Sequence, residues 1–241
     1  MIIQKPIFRN ISKAWSIRAV SSISEGAILV RDNGPLKLIG LNRPDKKNCL
    51  TLSMVQSLKE VISDFEKDSS TNAAVIYGEK GNFSSGIDEE DLAADPDLIE
   101  KIERTGLLDV HCKKPLVAAI SGFAIGHALD IALRCDLLVM EDTAFVSVFN
   151  RKTRNLTTPR QIQYLMNLFG QRKTLDWALT GRQIGAKEAL DCGLASRIVA
   201  CGTGLGQSVS LANGLCCLPP DKLNSDRALI YSMETSKYHN E

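Results

Sequence analysis

Two segments about forty residues apart carry a pattern that could stabilise a negative charge on an oxygen atom. They are residues 83–88 (FSSGID) and residues 121–130 (SGFAIGHALD). In each, apolar residues meet a glycine and then a helix-forming stretch, which predicts a buried strand that breaks and opens into a helix. The first N–H groups of a helix have no partner inside it. Two such starts facing one point would direct two donors at one oxygen, which suits an enolate or another oxyanion.

The composition narrows the class of protein. At 241 residues the chain can form one large domain or a domain with a small appendage. A hydrophobic content of 44% with 24% charged residues is ordinary for a globular protein. The net charge of +1 predicts no bulk attraction to nucleic acids or membranes. No apolar run approaches the roughly 20 residues that a membrane helix needs.

The first 24 residues have a composition of their own. They contain four basic residues, no acid and five serines, and Phe8, Ile11 and Trp15 fall on one helical face. An acid-free, basic, serine-rich amphipathic start predicts a mitochondrial transit peptide, hence a location in the matrix. The alternative is a disordered or poorly packed N-terminal tail.

The cysteines predict neither a disulfide framework nor a metal site. Their number is odd, they include no C-x-x-C pair, and no paired histidines accompany them. We expect reduced thiols, mostly in the core, and no bound metal. The seven are Cys49, Cys112, Cys135, Cys192, Cys201, Cys216 and Cys217.

Strand and helix patterns alternate along the chain. Asn33-Gly34 between two apolar segments predicts a β-hairpin. Helical periodicity follows, with Thr51 as the candidate N-cap. Further strands are predicted at residues 73–77, 116–121, 137–140 and 194–199, and further helices at 97–111, 126–134, 160–179, 186–192 and 206–214. The alternation predicts an α/β fold with mostly parallel strand pairing.

Four motifs in the right order resemble the crotonase group, the enoyl-CoA hydratase/isomerase superfamily, over residues 27–199. LNRP followed by KN at residues 41–48 is similar to the N-terminal pattern of this family. FSSGID at 83–88, the stretch from KP to CD at 114–136, and LTGR with the residues up to GL at 179–194 resemble its other three elements. The resemblance implies a spiral of ββα units with mostly parallel sheets, assembled as a trimer or dimer of trimers.

The resemblance also implies a ligand and roles for individual residues. The ligand is an acyl-CoA thioester, with no further cofactor and no metal. Its carbonyl oxygen would lie between the backbone N–H groups of Ile87 and His127. Ser85, Ile87 and Asp88 would line the groove through which CoA enters, although Asp88 could equally be a helix cap. Asp130 stands at the position of a catalytic carboxylate, and the alternative for it is a helix residue with a polar partner.

The chain departs from the family pattern around this site. Asp130 is one methylene shorter than the usual glutamate, which reduces its reach. The expected second carboxylate falls at or beside Phe149, and no acid occurs from residue 144 to 171. His127 replaces a glycine, so it could spoil the oxyanion pocket or supply a new acid or base. Arg151 and Lys152 could meet an anionic acyl group or simply face solvent.

These observations support competing functions. The first is an acyl-CoA lyase or isomerase of fatty-acid or amino-acid breakdown, for which isomerisation or other enolate chemistry fits one carboxylate better than hydration. The second is a non-catalytic protein that binds CoA esters or joins an oligomer. RNA binding is a third, although the helix after Thr51 carries only two basic residues. We expect a transit peptide at residues 1–24, a crotonase-like core at 25–200 and a shortened C-terminal helical region at 201–241.

Overall fold

A computed structural model of the chain describes residues 26–108, 111–148 and 158–236. The predicted hairpin forms around Gly34, whose φ of 62° lies in the left-handed region that glycine adopts without strain. Across this turn β1 (Ile28–Asn33) pairs antiparallel with β2 (Leu36–Leu41). The predicted helix follows as α1 (Leu52–Lys67), and Thr51 caps it by accepting the first-turn N–H of Met54 at 3.2 Å.

The strands form two sheets, and most neighbours in the larger one are parallel, as the sequence predicts. The remaining strands are β3 (Ala73–Gly78), β4 (Leu116–Ile120), β5 (Phe123–Ile125), β6 (Leu137–Glu141), β7 (Phe145–Ser147), β8 (Ile184–Gly185) and β9 (Arg197–Val199). The larger sheet has the order β1-β2-β3-β4-β6-β9, and only its first pair is antiparallel. The smaller sheet has the order β5-β7-β8.

The remaining helices connect and cover these strands. They are α2 (Glu89–Ala94), α3 (Leu98–Arg104), α4 (His127–Leu133), α5 (Pro159–Thr180), α6 (Ala186–Asp191), α7 (Gly204–Cys216) and α8 (Pro220–Ser236). The helix predicted at residues 97–111 is shorter, because Gly106 with a φ of 70° follows the end of α3. Among the described residues, no helix combines the length and the apolarity needed to span a bilayer.

The core lies on both faces of the larger sheet. Ala74 and Ile76 of β3 face one side and Val75 and Tyr77 face the other, so a continuous apolar run is buried throughout. The first side packs against α1 and α4, and the second is covered by α7. Each large aliphatic side chain buried in this way contributes roughly 1.5–3 kcal/mol to folding.

Helix α8 folds back onto the core through one carboxylate. Arg227 donates from Nε and Nη2 to Asp136 at 2.8 and 2.9 Å, and the Tyr231 hydroxyl donates to Asp136 at 2.6 Å. Arg227 also donates to the backbone carbonyls of Cys112 and Lys113. A bidentate arginine–carboxylate pair of this kind fixes the orientation of α8 as well as its position. The acid of the sequence pair CD at residues 135–136 is therefore structural.

Candidate active site

The two glycine-containing segments lie side by side. Ser84 and Ala124 form a parallel bridge, in which the Ser84 N–H donates to the carbonyl of Phe123 at 3.0 Å and the Ile125 N–H donates to Ser84 at 3.2 Å. Three residues further along each chain from this pair come Ile87 and His127. The register of the bridge therefore brings together the two positions that the sequence predicts as oxyanion donors.

The orientation of the Ile87 peptide follows from its pairing with Leu50. The Leu50 N–H donates to Gly86 at 2.7 Å, and the Asp88 N–H donates to the Leu50 carbonyl at 2.9 Å. In a parallel bridge of this pattern, the central residue directs its own N–H and C=O away from its partner. The N–H of Ile87 therefore points away from Leu50 and toward the chain that carries His127.

Neither candidate donor is used by the backbone. Within the described ranges, the N–H groups of Ile87 and His127 donate to no backbone carbonyl. His127 is the first residue of α4, where such N–H groups lack intrahelical partners. Ile87 differs from the sequence prediction, because α2 begins two residues later at Glu89. Its donor comes from an extended bridge and not from a helix start.

Glycines make the close approach of the two segments feasible. Gly86 has a φ of 90°, and a Cβ at this position would lie 2.6 Å from the carbonyl oxygen of Ile125. Gly126 has a φ of 57° and a ψ of −125°, which side-chain-bearing residues avoid. The unusual backbone conformation, which glycine can adopt, is thus at Gly126. His127 is not among the non-glycine residues with a positive φ. The histidine therefore causes no backbone strain at the donor.

Asp130 lies on the same face of α4 as His127, three residues further along. It is buried, with 9% of its surface exposed, and its Oδ1 accepts a hydrogen bond from Gln161 Nε2 at 2.8 Å. Burial raises the pKa of Asp130 to about 7, and the negative charge of Glu103 adds to this, while the Gln161 hydrogen bond and the Arg134 charge oppose it. A carboxyl group poised near neutral pH suits general acid–base chemistry.

The His127 ring also faces this site. It is 9% exposed and has no side-chain hydrogen bond within the described part of the chain. Burial lowers the pKa of His127 to about 4, against a small opposing effect of Glu103. The imidazole is therefore neutral at physiological pH and carries no charge toward a ligand.

A small cavity joins these groups. Seven of the residues that line it are polar or charged at their tips: Glu103, His127, Asp130, Arg134, Thr158, Gln161 and Tyr164. Sequence analysis missed Glu103, which comes from α3, and Gln161, which comes from the first turn of α5. Gln161 also donates to the carbonyl of Val148 at 3.2 Å, so its amide group is held between that strand end and Asp130.

The other residues predicted to contact the ligand, Asp88 and Ser85, both form hydrogen bonds within the protein. The Asp88 carboxylate is buried, caps α2 at the Glu90 N–H, and accepts from Arg43 at 2.9 Å and from Cys49 Sγ at 3.1 Å. Burial favours a higher pKa for Asp88, but these hydrogen bonds outweigh it and lower the pKa. Asp88 therefore acts as a helix cap and ion-pair partner. Ser85 is half-buried, and its N–H donates to the Lys47 carbonyl at 3.1 Å.

Three sequence-predicted positions, Phe149, Arg151 and Lys152, lie outside the described residues. The fourth motif is structural, because Arg182 donates to Glu188 at 2.6 and 2.7 Å. No group of three or more His, Cys, Asp or Glu side chains that could hold a metal occurs in residues 26–108, 111–148 and 158–236.

Comparisons with known proteins show which family the chain belongs to. A sequence model described as enoyl-CoA hydratase/isomerase matches residues 31–232. A protein of Rhizobium meliloti (strain 1021) described as a probable enoyl-CoA hydratase is 28% identical over 217 residues, covering 88% of this chain and 84% of its own. The mitochondrial Delta(3,5)-Delta(2,4)-dienoyl-CoA isomerase of Rattus norvegicus is 32% identical over 177 residues, or 66% of this chain and 54% of its own.

The fold is shared with solved structures. A crystal structure of an enoyl-CoA hydratase/carnithine racemase from Magnetospirillum magneticum superposes with a TM-score of 0.82 and 24% identity, over 88% of this chain and 82% of its own. The fold thus defines an α/β protein of the crotonase type. The chain belongs to the enoyl-CoA hydratase/isomerase family, which confirms the resemblance and fold class inferred from its four motifs.

Proposed function

We propose that the chain is an enolate-forming acyl-CoA enzyme and that its reaction is double-bond isomerisation. The observation that carries this proposal is the pairing of Ser84 with Ala124, which aligns the free N–H groups of Ile87 and His127. Two backbone donors at one point match the charge that develops on a thioester oxygen. Asp130 lies one helical turn from the second donor, and its carboxyl group can exchange a proton with a substrate bound there.

The chemistry follows from these three groups. With the thioester oxygen between the two N–H groups, the Asp130 carboxylate takes a proton from C2 of a 3-enoyl-CoA. The electrons of the C2–H bond form the C2–C3 double bond through the enolate, and those of the C3–C4 double bond take a proton at C4. The product is the 2-enoyl-CoA, and no proton is gained or lost overall.

Isomerisation fits better than hydration because only one carboxylate stands at a position that matches the family pattern. The sequence has no acid from residue 144 to 171, where the second would be expected. Asp130 with a pKa near 7 can both accept and return a proton at neutral pH.

The test uses purified protein and trans-3-hexenoyl-CoA, with formation of the 2-enoyl product followed by absorbance. Turnover that disappears in Asp130→Asn, while CoA esters still raise the melting temperature, supports the proposal. Faster hydration of crotonyl-CoA than isomerisation of the 3-enoyl ester would contradict it.

A second candidate function is binding of CoA esters without turnover. The observation that favours it is the hydrogen bond of 2.8 Å by which Gln161 occupies an oxygen of Asp130. A melting temperature that rises with butyryl-CoA, with no exchange of its C2 hydrogens in D₂O, would support this function and contradict catalysis.

We also propose that the protein is a homo-oligomer of the mitochondrial matrix acting in fatty-acid or amino-acid breakdown. The composition of residues 1–24 and the mitochondrial name of the rat relative support the location. Exposed apolar side chains such as Leu179 and Ile230 support assembly. Import of a fluorescent fusion of residues 1–24 and light scattering of the purified protein test the two parts separately.

A further inference from the structure

Glu103 places a carboxylate on the Asp130 cavity from a separate part of the fold. It lies on α3 four residues after Ile99, which packs against the core, and residues four apart share a helix face. On the exposed side of the same helix, Glu100 and Arg104 pair with each other at 2.5 Å. An acid therefore occupies the inward stripe of α3, where an apolar residue is usual.

The Glu103 carboxylate has no direct partner. It is half-buried, and across residues 26–108, 111–148 and 158–236 its side chain forms no hydrogen bond and no ion pair. Arg134 is the one cation among the described residues that line the cavity, and it stacks over the Tyr164 ring at 4.4 Å. Arg134 does not approach Glu103 within ion-pair distance.

A second observation marks this cavity as a ligand site. The imidazole of His127 is nine-tenths buried, faces the same cavity, and has no hydrogen-bond partner in the described part of the chain. Buried polar groups are normally paired. The His127 ring, the Glu103 carboxylate and the Asp130 carboxyl group thus line one cavity.

We propose that Glu103 is the second acid–base residue of this site and exchanges a proton with C4 of the acyl chain, while Asp130 exchanges one with C2. This inference rests on the proposed isomerisation. In the reacting form the pair holds one proton, on Glu103 and not on Asp130. The Asp130 carboxylate takes the C2 proton, the double bond moves to C2–C3, and C4 takes the proton of the Glu103 carboxyl group. Asp130 then releases its proton to water and Glu103 regains one, so the enzyme returns to its starting state.

The charges in the cavity support the assignment of one proton transfer to each acid. The negative charge of Glu103 contributes to the raised pKa of Asp130, so the two carboxyl groups interact across the cavity. Arg134 acts on Asp130 in the opposite direction. Two carboxyl groups that line one cavity, one of which raises the pKa of the other, can divide the acid and base roles between them.

Two reactions separate the roles of the two acids. Exchange of the C2 hydrogens of butyryl-CoA with D₂O requires Asp130 and the oxyanion donors but no proton at C4. Isomerisation of trans-3-hexenoyl-CoA requires a proton at both carbons. In Glu103→Gln we expect exchange to persist, with its acidic limb moved to lower pH, and isomerisation to fall by about 10²-fold or more.

Glu100→Gln is the matched control, because it removes an acid from the exposed face of the same helix, and it should leave both reactions unchanged. In D₂O the unaltered protein should place deuterium at C4 in nearly every product molecule, since the proton delivered there comes from Glu103 and not from C2. If Glu103→Gln isomerises the substrate as fast as Glu100→Gln, the role assigned to Glu103 is refuted while the proposed function stands. Transfer of the C2 hydrogen to C4 would have the same consequence. Absence of C2 exchange in the unaltered protein would overturn the proposed function and this assignment with it.

Discussion

Replacing Asp130 with asparagine should stabilise the protein while abolishing its chemistry. The side chain is buried, and burial raises its pKa from 3.8 to about 7. Asparagine has nearly the same shape and can still accept the hydrogen bond from Gln161 through its carbonyl oxygen. The substitution therefore removes the cost of a buried charge and keeps the contact.

The magnitude follows from the shift in pKa. The difference of about three pKa units corresponds to about 4 kcal/mol at 1.36 kcal/mol per unit. Below about pH 4 the carboxyl group is protonated in both the folded and the unfolded protein, so no cost applies. Stability is lost as the pH rises from about 4 to about 7, because only the unfolded chain ionises freely over this range, and it stays lost above.

The assay is a set of thermal melts of the two proteins from pH 4 to pH 8. For a domain of this size we expect the Asp130→Asn protein to melt about 10 °C higher at pH 8 and nearly equal at pH 4. Asp88→Asn is the opposite control, since hydrogen bonds lower the pKa of Asp88 and its replacement should destabilise. An Asp130→Asn protein that melts no higher than the original at pH 8, or by an amount independent of pH, would refute the reasoning.

Three further predictions concern the groups around Asp130 and the C-terminal helix. Gln161→Ala removes the hydrogen bond that lowers the pKa of Asp130, so the acidic limb of kcat/KM should move to higher pH. Gly86→Ala places a Cβ 2.6 Å from a backbone oxygen of the facing strand, which should misplace one donor and reduce kcat by about 10²–10³-fold in steady-state assays. Arg227→Ala leaves Asp136 without its cation and should lower the free energy of unfolding in urea by about 3 kcal/mol, whereas a loss under 1 kcal/mol would show that α8 is anchored elsewhere.

Long elements of the fold could be predicted from the sequence, because each carries a strong local pattern. The hairpin at Gly34, the capped helix from Thr51 and the buried strand β3 all form where their turn, cap and apolar signals indicate. Strands β7 and β8 were not predicted, because so few residues show no period of their own. Within residues 201–241, where the sequence predicts a helical region, the structure has α7 and α8, and Pro220 is the first residue of α8.

The candidate site divides in the same way. Ile87, His127 and Asp130 stand in contiguous motifs, so residue type and spacing were enough to select them. Glu103 and Gln161 belong to other segments, and both reach the site only through the packing of α3 and α5 around α4. The only sequence signal for Glu103 is an acid four residues after Ile99 on an otherwise inward face. Nothing near Gln161 in the sequence indicates a partner thirty-one residues away.

The sequence by itself determined the family, the order of strands and helices, and the glycines that let two chain segments approach closely. These properties depend on local conformational preference and on apolar periodicity, which each short segment carries alone. Only the tertiary structure decided which groups share the cavity and how they titrate. The pKa of Asp130 near 7 comes from burial, from the opposing hydrogen bond of Gln161 on α5 and from the charge of Glu103 on α3, and none of these can be read from its neighbours in the chain.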